Sequence, residues 1–116
     1  PLRSALDRDL PFTIHNDAPV VPPDIMRLVS IAVNRKSRSG RVLGSHQRLT
    51  VMEALNAVTL GAAYQYFEED RKGSITVGKQ ADLVILGESP LTVDPAKLEY
   101  LPIMETFSRG RSVYQR

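Results

Sequence analysis

A strand without a partner constrains this chain most. Phe12-Thr13-Ile14 is the one strand-like run in the first 70 residues. Backbone donors and acceptors need partners, and so short a strand gains them only inside a larger sheet. Beyond residue 70 the pattern turns mostly β, with too few strands for an independent sandwich. The chain is therefore expected to be α+β and to lack at least one partner sheet. Its 116 residues also fall short of a complete eight-stranded α/β barrel, which takes about 250 residues.

Local signals place the other elements. Leu2 to Arg8 suits the end of a helix, which Pro11 stops. Pro19, Pro22 and Pro23 stiffen the loop after the strand. Asp24 is the expected cap of a helix over residues 25–35, whose stripe is Ile25, Leu28, Val29, Ala32 and Val33. Arg35 and Lys36 would close its last turn, where cations suit the helix dipole. Thr50 and Glu53 have capping-box spacing ahead of Val51, Ala54, Leu55 and Val58. Gly61 interrupts or kinks the helical run there, because of either backbone conformation or close packing. Ser74-Ile75 is expected to be a short strand between turns, and Leu83-Val84-Ile85-Leu86 a buried one. Pro95 suits the first position of a short helix carrying Ala96 and Leu98. Residues 103–107 and 112–114 form an expected hairpin turning at Arg109-Gly110.

Composition removes several classes of function. There is no cysteine, hence no disulfide, thiolate nucleophile or Cys-held metal. A net charge of +2 with 6% aromatic residues and no tryptophan gives little basis for nucleic-acid binding. No run approaches the ~20 apolar residues of a membrane span. The glycines make no phosphate-loop fingerprint, and no serine lies in a G-x-S-x-G setting.

The densest polar group is His15-Asn16-Asp17, just past the lone strand. Imidazole and carboxylate can hold a divalent metal or move protons. Equally, Asn16 and Asp17 can serve a turn by bonding to nearby amides. Continued extension would point His15 and Asp17 the same way, and a loop would break that regularity. Arg35, Lys36, Arg38 and Arg41 form a basic cluster, suited to a carboxylate or phosphate or to plain solvation. Tyr64, Tyr66 and Phe67 are expected to pack between helices and Leu83 to Leu86 to be core. Glu68, Glu69 and Asp70 suit a solvated helix end.

The order of these motifs resembles the C-terminal part of metal-dependent amidohydrolases, and most closely the YtcJ-like branch known as amidohydrolase family 3. Phe12-Thr13-Ile14-His15-Asn16-Asp17-Ala18-Pro19 is similar to the last barrel strand and its loop. The run from Thr50 to Thr59 is similar to the helix after that strand. Gly73-Ser74-Ile75, then Gly78-Lys79-Gln80-Ala81-Asp82-Leu83-Val84, resemble the return into a composite β-domain. The resemblance spans almost the whole chain.

It implies an α+β fragment: residues 1–70 bring the last strand and helices of an incomplete TIM-like barrel, and residues 71–116 part of a composite β-sandwich domain. It implies that Asp17 is both a metal ligand and the catalytic carboxylate, accepting the proton of a metal-bound water. His15, Arg35 and Arg38 would border that centre or the substrate. The cofactor implied is a divalent metal, zinc, in the complete protein, with none bound by this chain alone. The other ligands, including a His-x-His pair on the first strand, belong to the N-terminal barrel portion, which is the principal partner. The substrate is a small molecule with an amide or other non-peptide C–N bond, the location cytoplasmic, and neither nucleic acid nor membrane a partner. By itself the chain is expected to be inactive. A competing expectation is a structural or binding module, a homo-oligomer joined through the surfaces that the missing barrel leaves bare.

Overall fold

The computed structural model describes residues 1–116. Four α-helices lead, α1 (Leu2–Leu6), α2 (Ile25–Asn34), α3 (Val51–Val58) and α4 (Leu60–Gln65), with a 3-10 turn at Ser45–Gln47. Strand β1 (Leu83–Leu86), a 3-10 helix (Pro95–Tyr100) and the hairpin β2 (Ile103–Ser108) and β3 (Arg111–Gln115) complete the chain.

Caps set the helix starts. Asp24 Oδ1 accepts from the Arg27 amide at 3.0 Å. Thr50 and Glu53 complete a capping box: Thr50 Oγ1 accepts from the Glu53 amide, and Glu53 Oε2 from the Thr50 amide at 2.7 Å. The end of α2 differs from expectation. Arg35 has left the helix into the left-handed region, φ 55°. Its amide still reaches Ile31 O, and its Nε and carbonyl hold Leu43. The helix stops one residue early because Arg35 is recruited to clamp the returning loop.

Gly61 serves close packing. A Cβ there would stand 3.1 Å from the carbonyl oxygens of both Phe12 and Asn56. The break itself falls at Thr59, whose hydroxyl donates to Leu55 O at 2.7 Å.

The core lies between α2 and its neighbours. Met26, Val29, Ala32 and Val33 meet Leu49, Ala54, Leu98 and Leu101, so the two halves of the sequence share one apolar cluster. Pro95 does open the 3-10 helix, and Leu98 is fully buried.

The sheet has three antiparallel strands in the order β1-β2-β3 and is not closed into a barrel. Leu83 opposes Phe107, and Val84 opposes Thr106. The hairpin turns at Arg109-Gly110 as expected, both with positive φ, 52° and 76°, which matches the right-handed twist of paired strands. Asp82 Oδ1 accepts from the Arg109 amide at 2.8 Å and ties the turn to the start of β1.

Four expectations are corrected. Phe12-Thr13-Ile14 is not a strand; a strand needs a neighbour to pair with, and this chain brings none. Ser74-Ile75 is also unpaired, and Ile75 is 92% exposed. Leu83 to Leu86 is a strand but only its end reaches the core: Leu86 packs against the core cluster, whereas Leu83, Val84 and Ile85 are exposed, Val84 at 53%, because no second layer covers that part of the sheet. Tyr64, Tyr66 and Phe67 are exposed; Tyr64 lies on an open side of α4, while the turn that ends the helix carries Tyr66 and Phe67 away from it, with Phe67 at φ 58°.

The consequence is a surface of 8,300 Å², against about 6,300 Å² for a folded monomer of this mass.

Candidate active-site edge around Asp17

The sequence places His15, Asn16 and Asp17 between an unpaired segment and the first turn of α2. Asn16 fastens them there. Its Nδ2 donates to Pro22 O at 3.0 Å and to Asp24 O at 3.2 Å, so the loop is pinned to the residue that caps α2. Asn16 thus takes the local structural role that the sequence allowed for both Asn16 and Asp17.

Asp17 does something else. Its φ of 55° breaks the extension. Its amide donates to His15 Nδ1 at 3.1 Å, and its carbonyl accepts from Val20. Its carboxylate bonds to no group of this chain and is exposed. The backbone of Asp17 is thus held by its neighbours while its carboxylate stays free. In neutral His15, an Nδ1 that accepts leaves the ring proton on Nε2. His15 is therefore tied to the Asp17 backbone and not to its carboxylate.

His15 and Arg35 meet around one depression of about 280 Å³, with Thr13, Ile14, Leu28 and Ala32 in its wall. Arg38 is not brought there. It lines a separate groove with Arg27, Lys36 and Arg48. Arg27 and Arg48 escape a reading by proximity, since the sequence cluster is only residues 35–41. The helical spacing of Arg27, Ser30 and Asn34 was the available signal.

No three His, Cys, Asp or Glu side chains of this chain converge as a metal-holding group. Zinc takes three or four protein ligands. The donors of this chain do not by themselves make up such a set.

Against known proteins, residues 1–114 match the profile of the amidohydrolase family. The chain is 35% identical over 104 residues to a protein described as putative amidohydrolase YtcJ of Bacillus subtilis, covering 87% of this chain and 20% of that one. It is 28% identical over 116 residues to N-substituted formamide deformylase of Arthrobacter pascens, covering 100% of this chain and 21% of that one. Among solved structures, an amidohydrolase from Thermotoga maritima superposes with a TM-score of 0.71 at 22% identity, covering 99% of this chain and 26% of that one. The chain spans about a fifth of the length of those two curated relatives. No helix is long and apolar enough to cross a membrane. The match over nearly every residue, in sequence and in fold, makes this chain a member of the amidohydrolase family.

Proposed function

We propose that this chain is the C-terminal part of a metal-dependent hydrolase of amides or other non-peptide C–N bonds, of the YtcJ-like branch. In this reading Asp17 gives its carboxylate to the metal, zinc, and takes the proton of the attacking water, the two services a carboxylate offers such a reaction. His15 and Arg35 border the centre, and Arg38 stands further out. Residues 1–70 form the end of the barrel and residues 71–116 part of a composite β-domain. The substrate is a small molecule and the protein cytoplasmic.

The free, fixed carboxylate of Asp17 within the family match carries the proposal. Two features support a missing barrel portion as partner. The backbone amides of Phe12, Thr13 and Ile14 donate to no group in this chain. Along the same segment lies a cavity of about 430 Å³ lined by Leu6, Leu10, Pro11, Phe12, Leu60 and Tyr64 among others. Unpaired amides beside apolar walls suit neighbouring strands and helices.

The test compares two proteins. The 116-residue chain should bind no stoichiometric zinc and turn over no amide. The product of the coding region extended upstream should contain a His-x-His pair, hold zinc, and cleave N-acyl amides. In it, Asp17→Asn should lower turnover by about 10² to 10⁴. Metal-dependent turnover by the short chain, or full activity of the longer Asp17→Asn protein, would reject the proposal.

The second reading, self-association, is favoured by one observation, the uncovered β1-β2-β3 sheet with Val84, Ile103 and Val113 at its surface. Light scattering that reports a monomer at every concentration would remove it.

A further inference from the structure

One face of α2 is not used by Asp17 or His15. Arg27, Ser30 and Asn34 succeed one another at steps of three and four residues, so they lie along one side of the helix. Together with the turn around residues 36–40, Arg48 and the 3-10 helix Pro95–Tyr100, that side encloses a groove of about 620 Å³. Four cations line it, Arg27, Lys36, Arg38 and Arg48, against the single carboxylate of Glu99.

These cations are not spent elsewhere. The ion pairs of the chain are Arg3 with Glu53, and Glu68 with Arg71 and Lys72. The side chains of Arg27, Lys36 and Arg38 make no hydrogen bond within the chain, and Arg48 uses only Nε, on Asn34 O at 3.3 Å. The floor is ordered: Asn34 Nδ2 donates to Ser30 Oγ at 3.2 Å and to Pro95 O at 2.8 Å. Ser30 is buried. The turn that presents Lys36 and Arg38 is closed by the Lys36–Val42 bridge and by the Gly40 amide on Ser37 O.

We propose that this groove binds a small dianion, a dicarboxylate or a phosphate. Gathering four like charges costs Coulomb energy that a bound anion reverses. Guanidinium forks pair with both carboxylate and phosphate oxygens, and three guanidinium groups line one groove here. A doubly charged ligand engages the cations in pairs, which a monoanion does not. The proposal rests on the groove alone and is independent of the role of Asp17.

The experiment is a calorimetric titration of the 116-residue chain at low salt with inorganic phosphate, succinate and acetate. Saturable one-to-one binding of phosphate or succinate is expected, at least ~10-fold tighter than acetate; the tighter of the two names the anion chemistry. The double variant Arg27→Gln/Arg38→Gln should weaken it at least ~10-fold, and Arg27→Lys/Arg38→Lys should keep most of it. Arg111→Gln/Arg116→Gln, which removes two cations from the sheet end, should leave it unchanged. Circular dichroism matching the parent shows that each variant is folded. Three results would overturn the proposal: no saturable binding of either dianion, acetate binding as tightly, or equal loss in the Arg111/Arg116 control. Displacement of phosphate by a single-stranded oligonucleotide at far lower concentration would also overturn it and assign the face to a polyanion.

Discussion

Protonating Glu53 should unlock α1 from α3, and the structure sets the scale. Arg3 Nη1 and Nη2 donate to Oε1 and Oε2 of Glu53 at 2.9 and 2.5 Å. Glu53 Oε2 also closes the capping box on the Thr50 amide. The Arg3 hydrogen bonds foremost, opposed by partial burial and aided by Thr50, pull the Glu53 carboxyl from 4.5 to about 2. The folded pKa is thus depressed. Its stabilising share is complete above the unfolded value and fades as pH falls from about 5 toward 2. At ~1.36 kcal/mol per pH unit, the full gap corresponds to about 3 kcal/mol. Both side chains are 29% exposed, so solvent screening cuts this to about 1–2 kcal/mol. The assay is urea denaturation followed by circular dichroism across that range, for the parent and for Glu53→Gln. Near neutral pH the variant should be less stable by about 1–2 kcal/mol, and the two curves should converge as pH approaches ~2. Arg3→Gln should behave likewise, and the double variant should cost less than the sum of the singles. A gap between parent and Glu53→Gln that stays constant from neutral pH down to ~2 would refute the reasoning.

Two glycines separate space from backbone angle. Gly73 has φ +89°, and a Cβ there would meet Ala63 Cβ at 2.8 Å and the Leu60 Cα at 3.0 Å; Gly78, at φ +92°, faces open space. Gly73→Ala should cost about 3 kcal/mol, left-handed strain plus overpacking, and Gly78→Ala about 1 kcal/mol from strain alone; equal denaturation midpoints for the two would show that crowding plays no part. Leu98 is fully buried where the 3-10 helix meets α2, so Leu98→Ala should lose about 2–5 kcal/mol, read as a lower urea midpoint. A loss below that range would mean that this contact contributes little to the shared core.

The reach of the sequence tracks the range of the interactions. Asp24, the Thr50 and Glu53 box, Pro95 at its helix start and the Arg109-Gly110 turn were all legible, because a cap or turn is satisfied within a few residues of itself. The polar loop at His15-Asn16-Asp17 was legible as a candidate for the same reason, although the division of labour was not. Only the folded chain shows Asn16 clasping Pro22 and Asp24 while the Asp17 carboxylate stays free.

Other properties belonged to the tertiary structure alone. An apolar run such as Leu83 to Leu86 states that a strand wants cover, and only the fold shows that no second layer supplies it. Phe12 to Ile14 has strand composition, yet pairing needs a neighbour that no local pattern can create. Whether Gly61 served a backbone angle or a contact was settled by the carbonyls of Phe12 and Asn56. The arginines that stand together in sequence part company on either side of α2, while Arg27 and Arg48 join two of the basic residues from a distance. Helix starts and turns are decided by neighbours along the chain; burial, pairing and charge clustering are decided by neighbours in space, which is why the first were set by sequence and the second only by the fold.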